Sequence, residues 1–434
     1  MKAKNLTIFA FVLFFVALVI SVDNAFCASV LQDSYRNGIP TFLNKVAKGE
    51  TVRIAYFGGS ITEAGNGWRS QSMAKFAETY PNAKFEEINA AIGGTGSDLG
   101  VYRMDEDVLK HDPDLVFVEF CVNDGGTPHD QIIRQIEGIV RKIWRHNIDT
   151  DIVFVYTYRL GHENKYRDNN RADSVEAMES VANFYALPSI DFNVPVVDLA
   201  QKGKLIYQQE TGEAPEGVVV FSRDGVHPLT QGHEIYTQTL IDAFKKMALR
   251  NDAKPYPAVV NRRDRLDRVL DPKNMEDARM AKLTEKYLDG KWRLLGDDEP
   301  LSWVKSRLGD TVYTSDTPGS KVEILFKGSD LAIYDVLGPN GGQVKITVDG
   351  QEQTDLRPRF DHYCTYWRVA VLYLASGLDP RQIHIVTVEI DQGEPDRSSV
   401  LQRLEDPEKE RASGKYTGHN VWFGPIMYRG TLNP

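Results

Sequence analysis

The sequence predicts a doubly wound α/β domain, a parallel sheet covered by helices on both faces, followed by an all-β sandwich of the jelly-roll kind. Three observations carry that expectation. Between residues 28 and 250, near-continuously apolar runs such as "DLVFVEFCV" (114–122) alternate with amphipathic helical patterns, as strands buried on both faces do. Beyond about residue 300, runs of alternating apolar and polar residues follow one another with no helical pattern between them, as antiparallel strands do. The stretch from 251 to 300 is charged and proline-punctuated, which marks a connection.

In chain order, strands are expected at "VRIAYF" (52–57), "KFEEINAA" (84–91), "DLVFVEFCV", "DIVFVYTY" (151–158) and "PSIDF" (188–192). Met73, Phe76, Ala77 and Tyr80 share a helical face, and Ile132, Ile136, Ile139, Val140 and Ile143 hold that spacing over more than three turns. Further helices are expected at 174–186 and from just after His227 to about Arg250, and one at 275–288 within the connecting segment. In the C-terminal part, "KVEILFKG" and "QVKITVDG" read as strands, the second ending in an Asp349-Gly350 turn. "RVAVLYL", "IHIVTVEI" and "VWFGPIMY" continue the pattern. The domains expected are 28–250, a connection over 251–300, and a β-domain over 301–434.

The 434 residues are 42% apolar and 26% charged, a globular composition. A net charge of −10 argues against a nucleic-acid partner, which requires a basic face. Lys2 and Lys4 precede the apolar run 8–20, and "SVDNAFCAS" follows. A basic start, a short apolar core and an Ala25-x-Cys27 pattern predict a secretory signal over 1–27, cut just after Cys27. The run is shorter than the roughly 20 residues of a spanning helix, so no stable membrane insertion is expected after cleavage. Phe26 sits where a lipoprotein signal needs a small residue. The mature chain would keep Cys121 and Cys364, with neither a disulfide framework nor Cys/His metal spacing. No metal or other cofactor is expected.

Two glycine clusters could serve several chemistries. "TVRIAYFGGSITEAGNGW" (51–68) lacks the lysine of a phosphate-binding loop, and "IGGTGSDLG" (92–100) misses the dinucleotide turn, its third glycine falling one residue late. A nucleophile reading uses more of the chain. Ser60 stands just past the carboxyl end of the first strand, the edge at which open α/β sheets bind ligands. Serine needs a base to take its proton. "RDGVHPLTQGHEIY" supplies Asp224 and His227, three residues apart in a turn before a helix. One short loop can then present an imidazole with a carboxylate behind it to fix its tautomer.

These blocks resemble, in order, those of the SGNH (GDSL-like) hydrolase family. "FGGSIT" resembles the first, with Ser60 in the nucleophile's place; "NAAIGGTGS" the second, whose glycine at Gly94 offers an oxyanion N–H; "FCVND" the third, with Asn123 as side-chain donor; and "DGVHP" the last, with Asp224 and His227. The resemblance implies a flavodoxin-like three-layer fold and ester hydrolysis through an acyl-enzyme. Catalysis would rest on Ser60, Asp224 and His227, with the Ser60 and Gly94 N–H groups and the Asn123 amide as oxyanion hole. Two departures stand out: Cys121 replaces the glycine of the third block, and the first reads Gly-Gly-Ser rather than Gly-Asp-Ser. Cys121, at the end of a buried strand, is not expected to be a nucleophile itself.

Other polar and aromatic residues carry weaker expectations. Arg103 reads as a helix-surface residue ahead of one that faces the site, His162 as a loop residue and His233 as a helix-surface residue; His129 follows the Asn123 loop, where lining the cleft is the lesser reading; Trp68 fits either an acyl-pocket wall or a core position. Tyr363, Tyr366 and Trp367 fit either a strand core or a sugar-stacking platform. Export together with an appended β-domain is, by analogy with carbohydrate esterases of the family, what a deacetylase of an acetylated polysaccharide would show, acetylxylan or a related hemicellulose or pectin leading. A lipid esterase or thioesterase of the same family, and a non-catalytic exported polysaccharide-binding protein, are the alternatives.

Overall fold

The computed structural model describes residues 34–252 and 261–433; the expected signal segment and Cys27 lie outside them. The chain divides into two compact units: residues up to Gly100 with Glu106–Asn274 form the first, and Val101–Asp105 with the residues from Met275 onward form the second.

The first unit is built on five strands: β1 (Thr51–Gly58), β2 (Lys84–Asn89), β3 (Leu115–Glu119), β4 (Asp151–Tyr156) and β5 (Ser189–Asp191). They pair in the order β2-β1-β3-β4-β5, all parallel. Strand order reverses between β1 and β3, the switch point outside which such sheets bind ligands. Alternate strand residues feed the two faces. Val52, Ile54 and Tyr56 of β1, Leu115 and Phe117 of β3, and Val153 and Val155 of β4 form one core with Phe42, Phe76, Leu240 and Phe244 from helices Pro40–Lys48, Trp68–Thr79 and Thr230–Asp252. Phe57, Val116, Val118, Ile152 and Phe154 are buried on the other face. Helices His129–His146 and Asp173–Tyr185 pack on each other, the latter also on β4. Edge strand β2 is mostly exposed and charged, which discourages pairing with another chain. A two-stranded parallel ribbon, β6 (Leu205–Gln208) and β7 (Val219–Ser222), was not expected from the sequence; β7 leads into the loop that carries Asp224 and His227.

The second unit is antiparallel throughout its named strand pairs. Its axis is one long strand, Lys321–Leu337, which pairs with His384–Ile390 through its first half, with Arg368–Ala375 through its second, and with Val421–Leu432 along most of its length. Val322, Ile324, Phe326, Leu331 and Ile333 of that strand share a core with Ile346, Leu372, Val388 and Phe423. The Asp349-Gly350 turn forms as expected, both residues having positive φ (54° and 79°) in the two-residue hairpin joining Gln343–Val348 to Gln351–Glu352.

The connecting segment departs from expectation. In place of the α-helix expected over 275–288 its C-terminal part holds only the single 3-10 turn Glu285–Tyr287; Ala278–Ala281 is a strand paired with Ile426–Arg429, and Leu288–Asp289 and Arg293–Leu294 are also strands of the second unit. "DARMAKL" carries helix-forming residues, and pairing with a partner strand outweighs that propensity. Residues 262–274 instead belong to the first unit. Arg141 donates to Leu266 O and Arg268 O, and the Glu137 carboxylate accepts from the N–H groups of Leu270 and Asp271.

Candidate active site

Four strand ends supply the site. β1 stops at Gly58, and Ser60 opens the short helix Ser60–Glu63 after Gly59, whose extended backbone (φ −95°, ψ −157°) makes the turn. As first residue of that helix, Ser60 has an N–H with no intrahelical partner. β7 delivers the loop in which His227 meets it: Ser60 Oγ lies 2.8 Å from His227 Nε2, and His227 Nδ1 lies 2.6 Å from Asp224 Oδ2. Partial burial pushes the Asp224 carboxyl up. The His227 ring, the His227 and Val226 N–H groups and the Ser222 hydroxyl outweigh it and hold the carboxyl well below the usual carboxylate range. An ionised carboxylate can only accept, so Nδ1 carries the proton and Nε2 is left to accept from the serine hydroxyl. The loop is itself braced, since Ser222 Oγ bonds Asp224 Oδ1 and accepts from Gly225 N–H.

The loop after β2 passes over Ser60. Gly93 N–H donates to Glu63 Oε2 at 2.8 Å, and a Cβ on Gly93 would stand 3.4 Å from the Ser60 Cβ. Gly94 follows with φ +73°, a left-handed conformation that glycine adopts without strain, and open space where a side chain would project. Asn123, four residues past the end of β3, lies against Gly59: a Cβ there would fall 2.0 Å from Asn123 Oδ1. The Gly-Gly-Ser departure thus has a local reason. The place of a side chain at position 59 is filled by the asparagine. Asp124 ties the second and third blocks together, accepting from Ser97 N–H at 2.9 Å; burial pushes its carboxyl up to about 7.

One residue under the turn was missed by sequence reasoning. Glu119, the last residue of β3, is 1% exposed and accepts from Thr62 Oγ1 (2.8 Å), Thr157 Oγ1 (2.7 Å) and, at 3.4 Å, Gly59 N–H. Burial pushes its carboxyl up to about 7 against the pull of those three donors. Its only signal in the sequence is a single charge inside an apolar run.

The remaining residues sort as follows. Trp68 is a core residue, fully buried against Tyr56, Phe117 and Phe192. His233 is buried rather than on the helix surface; its Nδ1 accepts from Trp68 N–H, and burial lowers its pKa to about 4. Arg103 is 2% exposed, not a surface arginine. His162 begins a helix, buried, with Nδ1 2.9 Å from Asn193 Oδ1. His129 opens helix His129–His146 and is exposed. Tyr363 and Tyr366 are exposed, while Trp367 is half-buried with its indole N–H on Asn340 Oδ1. Cys121 is buried beside Thr157, and desolvation raises its thiol well above the ordinary value. Among the described residues, no group of His, Cys, Asp and Glu could hold a metal ion, and no helix is long and apolar enough to cross a membrane.

Residues 56–235 match the model of the GDSL-like Lipase/Acylhydrolase family. Among solved structures, a two-domain esterase (CEX) active on acetylated mannans, co-crystallized with mannopentaose, is similar in fold at 18% identity. Its TM-score is 0.66, over 93% of this chain and 100% of that one. A second crystal structure of a two-domain esterase (CEX) active on acetylated mannans gives 19% identity with the same TM-score and coverage. No curated protein sequence matches the chain.

Proposed function

We propose that the protein is an exported serine esterase that removes acetyl groups from a polysaccharide, an acetylated hemicellulose such as a mannan or a xylan. The observation that carries the reading is the continuous hydrogen-bond chain from Ser60 Oγ through His227 to Asp224. In this mechanism His227 Nε2 takes the Ser60 proton as Oγ attacks the ester carbonyl carbon. The Ser60 and Gly94 N–H groups and the Asn123 amide stabilise the oxyanion, and Asp224 stabilises the imidazolium. His227 then returns its proton to the departing sugar oxygen, leaving Ser60 acetylated. A water deprotonated by His227 attacks that ester, and acetate leaves as the serine hydroxyl is restored.

The match of residues 56–235 to the GDSL-like Lipase/Acylhydrolase family supports acyl transfer. The two-unit fold shared with an esterase active on acetylated mannans supports the substrate class, and the basic, then apolar, N-terminus supports export. The test is acetate release from a panel of acetylated mannan, xylan and pectin, beside a chain-length series of p-nitrophenyl esters. Release from at least one glycan, with p-nitrophenyl acetate preferred over longer esters, is the expected result. A preference for long acyl chains with no glycan deacetylated would contradict it.

A further inference from the structure

We propose that Glu119 is a positioning residue for ester hydrolysis: its buried carboxylate fixes the Gly59–Thr62 turn and thereby the aim of the Ser60 hydroxyl and N–H. This rests on Ser60 acting as the nucleophile.

The argument starts from where Glu119 sits. It is the register partner of Gly58 at the adjoining ends of β1 and β3. A Cβ on Gly58 would stand 2.9 Å from Glu119 Oε2 and 2.5 Å from its carbonyl oxygen, so the missing side chain at Gly58 is the notch that admits the carboxylate. From that notch one oxygen reaches forward to Thr62 Oγ1 and Gly59 N–H, the two residues that bracket Ser60-Ile61. The other reaches across to Thr157 Oγ1, just past the end of β4. Three strand ends are therefore tied through one side chain directly beneath the turn. A polar group costs free energy when buried unless paired, and a carboxylate more so, which makes a purely apolar residue here the cheaper way to fill the space. What the carboxylate adds is direction, because it accepts from both ends of the turn at once.

The same residue sets the second donor. Asn123 lies four positions further along the segment that Glu119 anchors, and its side chain rests on Gly59. Holding Gly59 N–H against β3 fixes the spacing between the Ser60 amide and the Asn123 amide, both proposed donors to the oxyanion. Thr62 is the usable handle on this link. It is fully buried, its hydroxyl donates to Glu119, and valine would keep its shape while removing the bond. Serine would keep the bond.

The experiment measures kcat, KM, the rate of inactivation by a fluorophosphonate and the melting temperature for wild type, Thr62→Val, Thr62→Ser, Glu119→Gln and Ser60→Ala, with rates taken per folded protein. Thr62→Val is expected to lower kcat and the inactivation rate together by ~10–10²-fold, the loss typical of a small misplacement, with KM within about threefold. Thr62→Ser is expected to recover both to within about threefold. Glu119→Gln, which keeps one acceptor oxygen, is expected to fall between them. A folded Thr62→Val with wild-type kcat and inactivation rate overturns the proposal, as does equal impairment of the valine and serine variants. If Glu119→Gln does not fold, the threonine pair alone decides. An active, labelled Ser60→Ala would overturn the nucleophile assignment itself, whereas a dead Ser60→Ala beside an unaffected Thr62→Val removes only the role of Glu119.

Discussion

Adding one methyl group at Gly59 should disrupt the oxyanion site without replacing any proposed catalytic side chain. Gly59 has φ −95° and ψ −157°, so alanine fits its backbone, and the whole effect is steric. The new Cβ would stand 2.0 Å from Asn123 Oδ1, and contacts below 3.0 Å do not occur, so the asparagine must retreat by at least about 1 Å. A donor displaced by that distance no longer meets the oxyanion, and losing one such donor costs about 10²–10³ in kcat. Gly59→Ala is therefore expected to resemble Asn123→Ala in turnover on p-nitrophenyl acetate, with a stability cost of about 1–3 kcal/mol from overpacking. The double variant makes the reasoning strict. With the asparagine side chain gone the clash is gone, so Gly59→Ala/Asn123→Ala should be no slower than Asn123→Ala, to within about threefold. Full activity in Gly59→Ala, or a double variant showing the product of the two single losses, would refute the claim that position 59 acts through Asn123.

Three further outcomes follow from the same geometry. Asp224→Asn should lower kcat by about 10⁴, because an amide no longer enforces the proton on His227 Nδ1; steady-state kinetics at neutral pH checks this. Glu119 holds its proton more tightly in the folded chain (pKa about 7) than in the unfolded one (4.5). Its contribution to stability is complete below about pH 4.5 and is lost as pH rises through about 7, on the order of 3 kcal/mol. Glu119→Gln cannot titrate, so the melting temperature of the variant relative to wild type should rise between pH 5 and 8, and a constant difference would count against it. In the β unit, Arg359 grips Asp335 through two hydrogen bonds of 2.6 and 2.7 Å, both side chains buried. Asp335→Ala strands a guanidinium and should cost about 3–5 kcal/mol in denaturant unfolding of that unit.

The parts of the site that could be read from the sequence are those governed by local rules. Ser60, Gly94 and Asn123 follow the carboxyl ends of β1, β2 and β3, strands expected from the sequence, whereas Asp224 and His227 follow β7, which was not; the structure sets His227 against Ser60 and Asn123 against Gly59. The Asp349-Gly350 hairpin was legible because both residues need positive φ and that pair tolerates it. What stayed hidden depends on partners far along the chain. Glu119 looks like one misplaced charge until Thr62 and Thr157 arrive from two other strands. Arg103 and His233 look like ordinary polar positions on helices, and only packing reveals them as buried. The strand Ala278–Ala281 looks helical because its partner, Ile426–Arg429, is almost 150 residues away. Residues 261–274 look like a linker because the hydrogen bonds holding them come from Glu137 and Arg141.

The most direct measurement is stoichiometric labelling with a fluorophosphonate followed by peptide mapping, on the wild-type chain and on His227→Ala. One phosphonyl group per chain on the peptide carrying Ser60, formed far more slowly in His227→Ala, is the predicted result. No label, or a label on any other residue, would contradict the assignment of Ser60 as a nucleophile activated by His227.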